Sequence, residues 1–332
     1  MGEKILLGHG AGGRMTRELV RELFCRHLGE VGPTSMDDGA ILTRMDGELV
    51  FTTDSYVVSP LEFPGGDIGT LAVCGTVNDL AVMGARPLWL SLSVILETGL
   101  ELNLLERIVR SIAEKAREAG VKIVCGDTKV VEKGKGDGIF INTAGIGVLE
   151  YPLKPETIEP GDKIIASGTV GDHGMALLTL RKGFPLKSNL QSDCAPLNQM
   201  ISDLCAEVNV KWMRDPTRGG LATILNELSE GKEWGVLLEE GDIPLSDAVS
   251  GVSELLGLDP LYSANEGKAV LVVPAAHAEN VLKFLKKSPY GCDATIIGSI
   301  EADFPGKTVL HTRLGTLRTL GILASDPLPR IC

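Results

Sequence analysis

Apolar positions in the first half of the chain switch between helical and strand periods. Met15, Leu19, Leu23, Phe24 and Leu28 recur at helical spacing, which predicts a helix from Arg14 to Leu28 entered directly from the glycine-rich GHGAGG. ELVFTTDSYV then reads as a strand, and DIGTLAVCGTVNDLAVMGA as a helix with Asp67 as its N-cap. LWLSLSVILE reads as a strand and LNLLERIVRSIAEKAREAG as a helix closed by Gly120, with VKIVCGD and IFINTAGIGVLE as two further strands. This βαβαββ order points to an α/β sandwich with a mixed sheet.

YPLKPETIEPGD, with three prolines between residues 151 and 162, is the linker expected between two halves. After it KIIASGTVG restarts a strand. Helices are expected at Pro196 to Val208, Gly219 to Glu230, Asp247 to Leu256 and Ala276 to Lys287, and strands at WGVLLEE, KAVLVVP and TIIGSI. KTVLHTRLGTLRTLGIL suggests a small hairpin, and the prolines of ASDPLPRIC keep the last residues extended and out of helix. The organisation read from this pattern is α/β throughout: residues 1–152, residues 153–306, and a hairpin with a mobile tail over 307–332.

Size agrees, because single cores seldom grow past roughly 250–300 residues and the chain has 332. Its hydrophobic content of 44% with only 4% aromatics fits aliphatic α/β packing. A net charge of −12 argues against a general nucleic-acid binder, yet leaves nucleotides open because a divalent cation can join carboxylates to phosphates. Cysteines at 25, 74, 125, 194, 205, 292 and 332 are odd in number and contain no C-x-x-C, so neither a disulfide framework nor a zinc site is indicated, and a reducing cytoplasm is expected. The opening MGEKILLGHGAGG has too short an apolar run for a signal peptide, and LWLSLSVIL is far short of a membrane span.

Four short acidic motifs carry the candidate chemistry: MDDGA with Asp37 and Asp38, TTDS with Asp54, VNDLAVMGA with Asn78 and Asp79, and GDTK with Asp127, Thr128 and Lys129. Asp54 and Asp127 each close an apolar strand, where a carboxylate is expected to emerge at the sheet edge. Asp79 sits inside an otherwise apolar helix, and a buried carboxylate needs a counter-charge or a metal. Mg2+ suits the set, since it takes a few carboxylates and keeps its other positions for water and phosphate. GHGAGG, containing Gly12 and Gly13, offers either backbone N–H groups for a phosphate or a simple turn. A dinucleotide fingerprint would need a second strand ending in an acid, and GEVGPTSMDDGA is turn-like instead. RDPTRGGL suits an anion or a tight domain contact, ANEGKAVLVV places Glu266 just before a strand, and His9 and His173 each stand beside glycine without metal-ligand spacing.

MDDGA, TTDS, VNDLAVMGA, GDTK, GDHGM, RDPTRGGL and NEGKAVLVV occur in the order seen in the aminoimidazole ribonucleotide synthetase (PurM-like) superfamily, and the closing PRIC resembles the hydrogenase-maturation carbamoyl dehydratases. Selenophosphate synthetases of that superfamily carry a cysteine or selenocysteine in the N-terminal loop, which GHGAGGR lacks. The resemblance implies two PurM-like α/β domains, a homodimer formed mainly by the N-terminal ones, and ATP held with Mg2+ by Asp37, Asp38, Asp54, Asp79 and Asp127. Asn78, Thr128, Gly12 and Gly13 complete the expected nucleotide set, with Asp38, Asp54, Asp79 and Asp127 as the metal ligands. It further implies that Cys332 receives a carbamoyl group from a HypF-type carbamoyltransferase and loses water at the expense of ATP. The resulting cyano group would pass to iron on a HypC–HypD-type scaffold for [NiFe] hydrogenase.

Removing the carbamoyl oxygen requires turning it into a leaving group, and phosphoryl transfer is governed by positioning and charge neutralisation. Lys129 is the candidate to stabilise the phosphoryl or iminophosphate and Glu266 the candidate base for the nitrogen, a partition that position alone leaves reversible. An extended tail of about eight residues swings its end by roughly 25 Å. The competing reading is another PurM-like ATP-dependent synthetase or kinase acting on a small molecule, with an incidental terminal cysteine.

Overall fold

The computed structural model describes residues 3–35, 37–183, 189–324 and 329–332. Helical backbone runs from α1 (Arg14–Leu19) through a π-helical stretch, Val20–Cys25, into α2 (Arg26–Leu28), so the single helix expected here is present with its middle widened. The first half continues through β1 (Leu49–Tyr56), the two-residue strands β2 (Glu62–Phe63) and β3 (Gly66–Asp67), and α3 (Ile68–Val82). It ends with β4 (Ala85–Glu97), α4 (Leu102–Ala119), β5 (Lys122–Val131) and β6 (Ile139–Leu149). The caps fall where the sequence puts them: Asp67 accepts the N–H of Thr70, and Gly120 closes α4 in the left-handed region.

Strands β1, β6, β4 and β5 lie side by side in that order, antiparallel except for the parallel pair β4 and β5. Helices α3 and α4 cover one face. On β4 the buried row Leu90, Leu92, Val94 and Leu96 alternates with the partly exposed row Trp89, Ser91, Ser93 and Ile95, which records a sheet with one covered and one open face. Asp54 and Asp127 are both inside their strands, with β1 and β5 running on to Tyr56 and Val131, so neither carboxylate closes a strand as expected. Strand β5 outruns its apolar stretch because β4 pairs with it as far as Glu97.

The second half holds β7 (Lys163–Ala166), α5 (Asp172–Lys182), α6 (Asn198–Glu207), β8 (Trp212–Arg214), α7 (Gly220–Ser229) and β9 (Gly235–Glu239). It continues with α8 (Asp247–Leu256), β10 (Val270–Val273), α9 (Ala278–Leu285), β11 (Thr295–Glu301), β12 (Thr308–His311) and β13 (Leu317–Leu320). The sheet order is β13-β12-β9-β11-β7-β10-β8, with β12 parallel to β9 and the remaining pairs antiparallel. Both faces are covered: Val270 and Val272 join one apolar cluster, Leu271 and Val273 another. This is why β10 is apolar without alternation. The hairpin expected with the tail is instead the edge of this sheet, since main-chain pairing of β12 to β9 ties it to the second half.

Helix α3 is buried on nearly all sides, because it lies between the first sheet and the second half, with Ala81 and Val82 in the same cluster as Leu197 and Met213. Helix α5 and strand β8 have no counterpart in the sequence reading. The apolar stretch of α5, Met175 to Leu180, is short and opens behind Gly174, and the three residues of β8 are too few to show a strand period. No helix among the described residues is long and apolar enough to cross a membrane.

Candidate active site around the C-terminal thiol

Alternation along β1 turns Thr52, Asp54 and Tyr56 toward α3. Thr52 Oγ1 donates to Asp79 Oδ2 at 2.8 Å and the Tyr56 hydroxyl to Asp54 Oδ2 at 3.1 Å. From the second half, Asp215 follows β8 and Glu266 lies on the loop before β10, both buried. Burial, with Asp215 and Asp54 nearby, raises Asp79 to about 7. Burial and Asp54 raise Asp215 to about 6. Glu266 is pushed well above the usual carboxylate range by burial and then by Asp215, Asp193, Asp54 and Asp79, and its Oε1 has no hydrogen-bond partner among the described residues. Four acids from two domains therefore share one locality with too little positive charge.

The last residue enters this locality. Cys332 is 8% exposed and its Sγ accepts from Arg218 Nε at 2.9 Å. Burial and Glu266 push its thiol up to about 12, partly offset by Arg218. Arg218 stands on the turn that opens α7, where Gly219 and Gly220 have φ of 75° and 61°. A Cβ on Gly220 would lie 2.6 Å from the carbonyl oxygens of Leu261 and Ser263, so only glycine lets this turn approach them. Asp215 and Arg218 were visible in RDPTRGGL as an anion site or a domain contact, but nothing in the sequence tied them to the terminal thiol.

Asn78 is not available to a nucleotide. Its Nδ2 donates to the carbonyls of Ala195 and Glu266, and its Oδ1 accepts from Leu197 N–H. The side chain is 1% exposed and acts as a clamp from α3 onto two loops of the second half. Asp193 holds the same loop from the other side, accepting from Asn265 Nδ2 and from the backbone N–H groups of Glu266 and Gly267. A Cβ on Gly267 would meet the Asp193 carbonyl at 1.8 Å, so the two loops interlock through a glycine contact.

The remaining candidates lie elsewhere. Gly12, Asp37, Asp127, Thr128 and Lys129 line a cavity of about 260 Å3 with Gly10, between the glycine loop and β5. Gly13 is the N-cap of α1 and Asp38 is exposed beside Asp37. Lys129 Nζ donates to Asp127 Oδ1 at 2.7 Å, which lowers the Asp127 carboxyl. Asp54 registers with Thr143, Leu92 and Gly126 on the face under α3, whereas Asp127 registers with Ser93 on the open face. The expected metal set Asp38, Asp54, Asp79 and Asp127 is thus not brought together within one chain, because neighbouring positions on a strand point to opposite sides. Among the described residues no three such side chains converge as a closed metal site.

Models of the AIR synthase related protein match this chain, the N-terminal domain over residues 36–149 and the C-terminal domain over 159–311. Carbamoyl dehydratase HypE of Rhodobacter capsulatus is 46% identical over 338 residues, covering 99% of this chain and 98% of that protein. The chain belongs to the HypE family of carbamoyl dehydratases. HypE of Escherichia coli K12 is 45% identical over 336 residues, covering 99% of both chains. A crystal structure of HypE in complex with ATP superposes with a TM-score of 0.94 at 45% identity, over 98% of this chain and 99% of that one. The HypE chain of a HypE–HypF complex gives 0.80 at 43% identity, over 94% and 100%. A thiamine monophosphate kinase of Aquifex aeolicus shares the fold alone, with a TM-score of 0.62 at 18% identity.

Proposed function

We propose that this chain is an ATP-dependent carbamoyl dehydratase whose own Cys332 carries the substrate, converting S-carbamoylcysteine to S-cyanocysteine with release of ADP and phosphate. The observation that carries the reading is the burial of Cys332 Sγ beside Arg218, in the field of Glu266, whose Oε1 has no hydrogen-bond partner among the described residues. A terminal residue gains a buried ionisable surrounding only at a cost in desolvation, and a reacting sulfur gives that cost a purpose.

The conversion breaks the carbamoyl C–O bond, sends the oxygen out as a phosphate oxygen and removes both protons from nitrogen to leave C≡N. Bound Mg-ATP supplies the phosphoryl group that makes this oxygen a leaving group. Arg218 holds the sulfur, Glu266 takes one proton from nitrogen, and the departing phosphate carries off the other. Asp54, Asp79 and Asp215 would hold Mg2+, for they gather hard oxygen donors in one place, and the raised pKa values of Asp79 and Asp215 record a missing counter-charge. Positive charge placed there also returns Glu266 to the carboxylate that a base requires.

Lys129 stands on the opposite sheet face from Asp54, so a part for it and for the glycine cavity in this reaction requires the homodimer that belongs to the same proposal. The open face favours one, since Phe51 and Ile95 are 66% and 43% exposed on it. A HypF-type carbamoyltransferase is the proposed donor, as a HypE relative has been solved with HypF. A HypC–HypD-type iron scaffold is the proposed acceptor and the reducing cytoplasm the proposed setting, which suits seven cysteines spaced without a C-x-x-C.

The test is the mass of the C-terminal peptide after carbamoylation and addition of Mg-ATP: loss of one water from carbamoyl-Cys332 is expected. Cys332→Ala should abolish the product and leave ATP binding intact. A small-molecule kinase with an incidental cysteine predicts no mass change on that peptide.

A further inference from the structure

The last four residues lie in a groove built from both halves. Val57 N–H donates to the Cys332 carbonyl at 3.0 Å and Ser59 N–H to that of Arg330 at 3.4 Å, so alternate residues of the loop after β1 hold alternate carbonyls of the tail. Between them Ile331 is 2% exposed, in the same apolar cluster as Phe63 and Met175.

Two side chains of α5 complete the groove. His173 is fully buried, with Nε2 2.7 Å from the Ile331 carbonyl and Nδ1 2.8 Å from Ser192 Oγ. A carbonyl oxygen only accepts, so Nε2 carries the hydrogen. Burial lowers the ring's pKa and keeps it neutral, which makes Nδ1 the acceptor of the Ser192 hydroxyl. Ser192 is itself fixed, its N–H donating to the Pro64 carbonyl and its Oγ accepting from Cys194 N–H. Phe63 packs edge-on against the imidazole at 5.5 Å. Two turns along α5, Arg181 spreads its guanidinium over three carbonyls: Nε to Ser59, Nη1 to Pro329 and Nη2 to Arg330. None of these contacts touches a tail side chain.

We propose that His173 and Arg181 are positioning residues of a C-terminal peptide-binding groove, which grips the backbone of Pro329 to Cys332 and sets the sulfur against Arg218 and Glu266. The Ser192-oriented imidazole and the Arg181 fork serve the carrier in every state of its sulfur, because they hold main-chain atoms only. The proposal rests on Cys332 being the carrier, but its test does not need the reaction.

A docked thiol is buried and protonated, so alkylation by iodoacetamide proceeds through the undocked fraction and its rate reports that fraction. In the full chain, Arg181→Met should speed Cys332 labelling about tenfold or more, because charge-assisted bonds are lost. Arg181→Lys should give a smaller rise, and His173→Gln, which keeps an N–H donor, a smaller rise than His173→Leu. Exposed Cys292 and buried Cys74 serve as internal references and should label as in the parent. Unchanged Cys332 labelling in both Arg181→Met and His173→Gln overturns the proposal. So does labelling that rises equally at Cys74, which would make the two residues structural. If the parent shows this labelling pattern but never dehydrates carbamoyl-Cys332, the dehydratase reading fails and the groove stands.

Discussion

Arg218 Nε donates to Cys332 Sγ at 2.9 Å, joining the glycine turn that opens α7 to the last residue of the chain. A hydrogen bond from a charged donor contributes about 1.5–3 kcal/mol, or roughly 10- to 100-fold in a rate that depends on it. Arg218→Met is therefore expected to slow single-turnover dehydration of carbamoyl-Cys332 by that factor, with Arg218→Lys between the two. Rapid-quench measurement of cyanated peptide checks this, and an unchanged rate removes Arg218 from the machinery.

Glu266→Gln keeps the shape of a buried side chain whose Oε1 has no partner among the described residues and removes only its proton chemistry. A positioned carboxylate contributes about 10^2 to 10^4 in rate. Dehydration should fall within that range while carbamoylation of Cys332 continues, read on the same C-terminal peptide. Full dehydration activity would exclude Glu266 as the base.

Asp79 at about 7 and Asp215 at about 6 are both raised from 3.8, so the folded chain binds protons more tightly there than the unfolded chain. Their contribution to stability is complete below about pH 4 and is lost as pH rises through 6 and 7. Thermal melting in the presence of a chelator should accordingly show a falling Tm across this window. Mg2+ at pH 7.5 should restore part of the loss, and Asp79→Asn should raise the chelated Tm at that pH. A Tm that climbs from pH 5 to 7.5 without Mg2+ would contradict the clustering of these acids.

Asn78→Ala removes two donors and one acceptor that clamp α3 to the loops at Ala195, Leu197 and Glu266. Each buried group left unpaired costs about 1–3 kcal/mol, so a loss of several kcal/mol is expected in urea unfolding. If Asn78 were a nucleotide ligand instead, ATP affinity would fall without this change in stability.

Most elements were legible in the sequence because each carries its own signal. Helix α4 has an apolar stripe and a glycine stop, α3 an acidic cap and small or apolar residues at most positions, and β4 a clear alternation. The motif order and the terminal cysteine likewise pointed to the family before any coordinates. Helix α5 was not legible, since its apolar stretch from Met175 to Leu180 is too short to show a helical period, and it carries both His173 and Arg181.

What the sequence could not assign was which polar groups meet. Asp54 and Asp127 look equivalent as strand acids, yet register sets them on opposite faces of one sheet. Asn78 and Asp79 are adjacent, yet one faces the loops of the second half and the other faces Thr52. Local periodicity and turn chemistry reside in neighbouring residues, so the sequence by itself determined most of the elements and supplied the Cys332 thiol on which the proposed function turns. The gathering of Asp54, Asp79, Asp215, Arg218, Glu266 and Cys332 depends on strand register, interdomain packing and the docking of the tail, which only the tertiary structure decides.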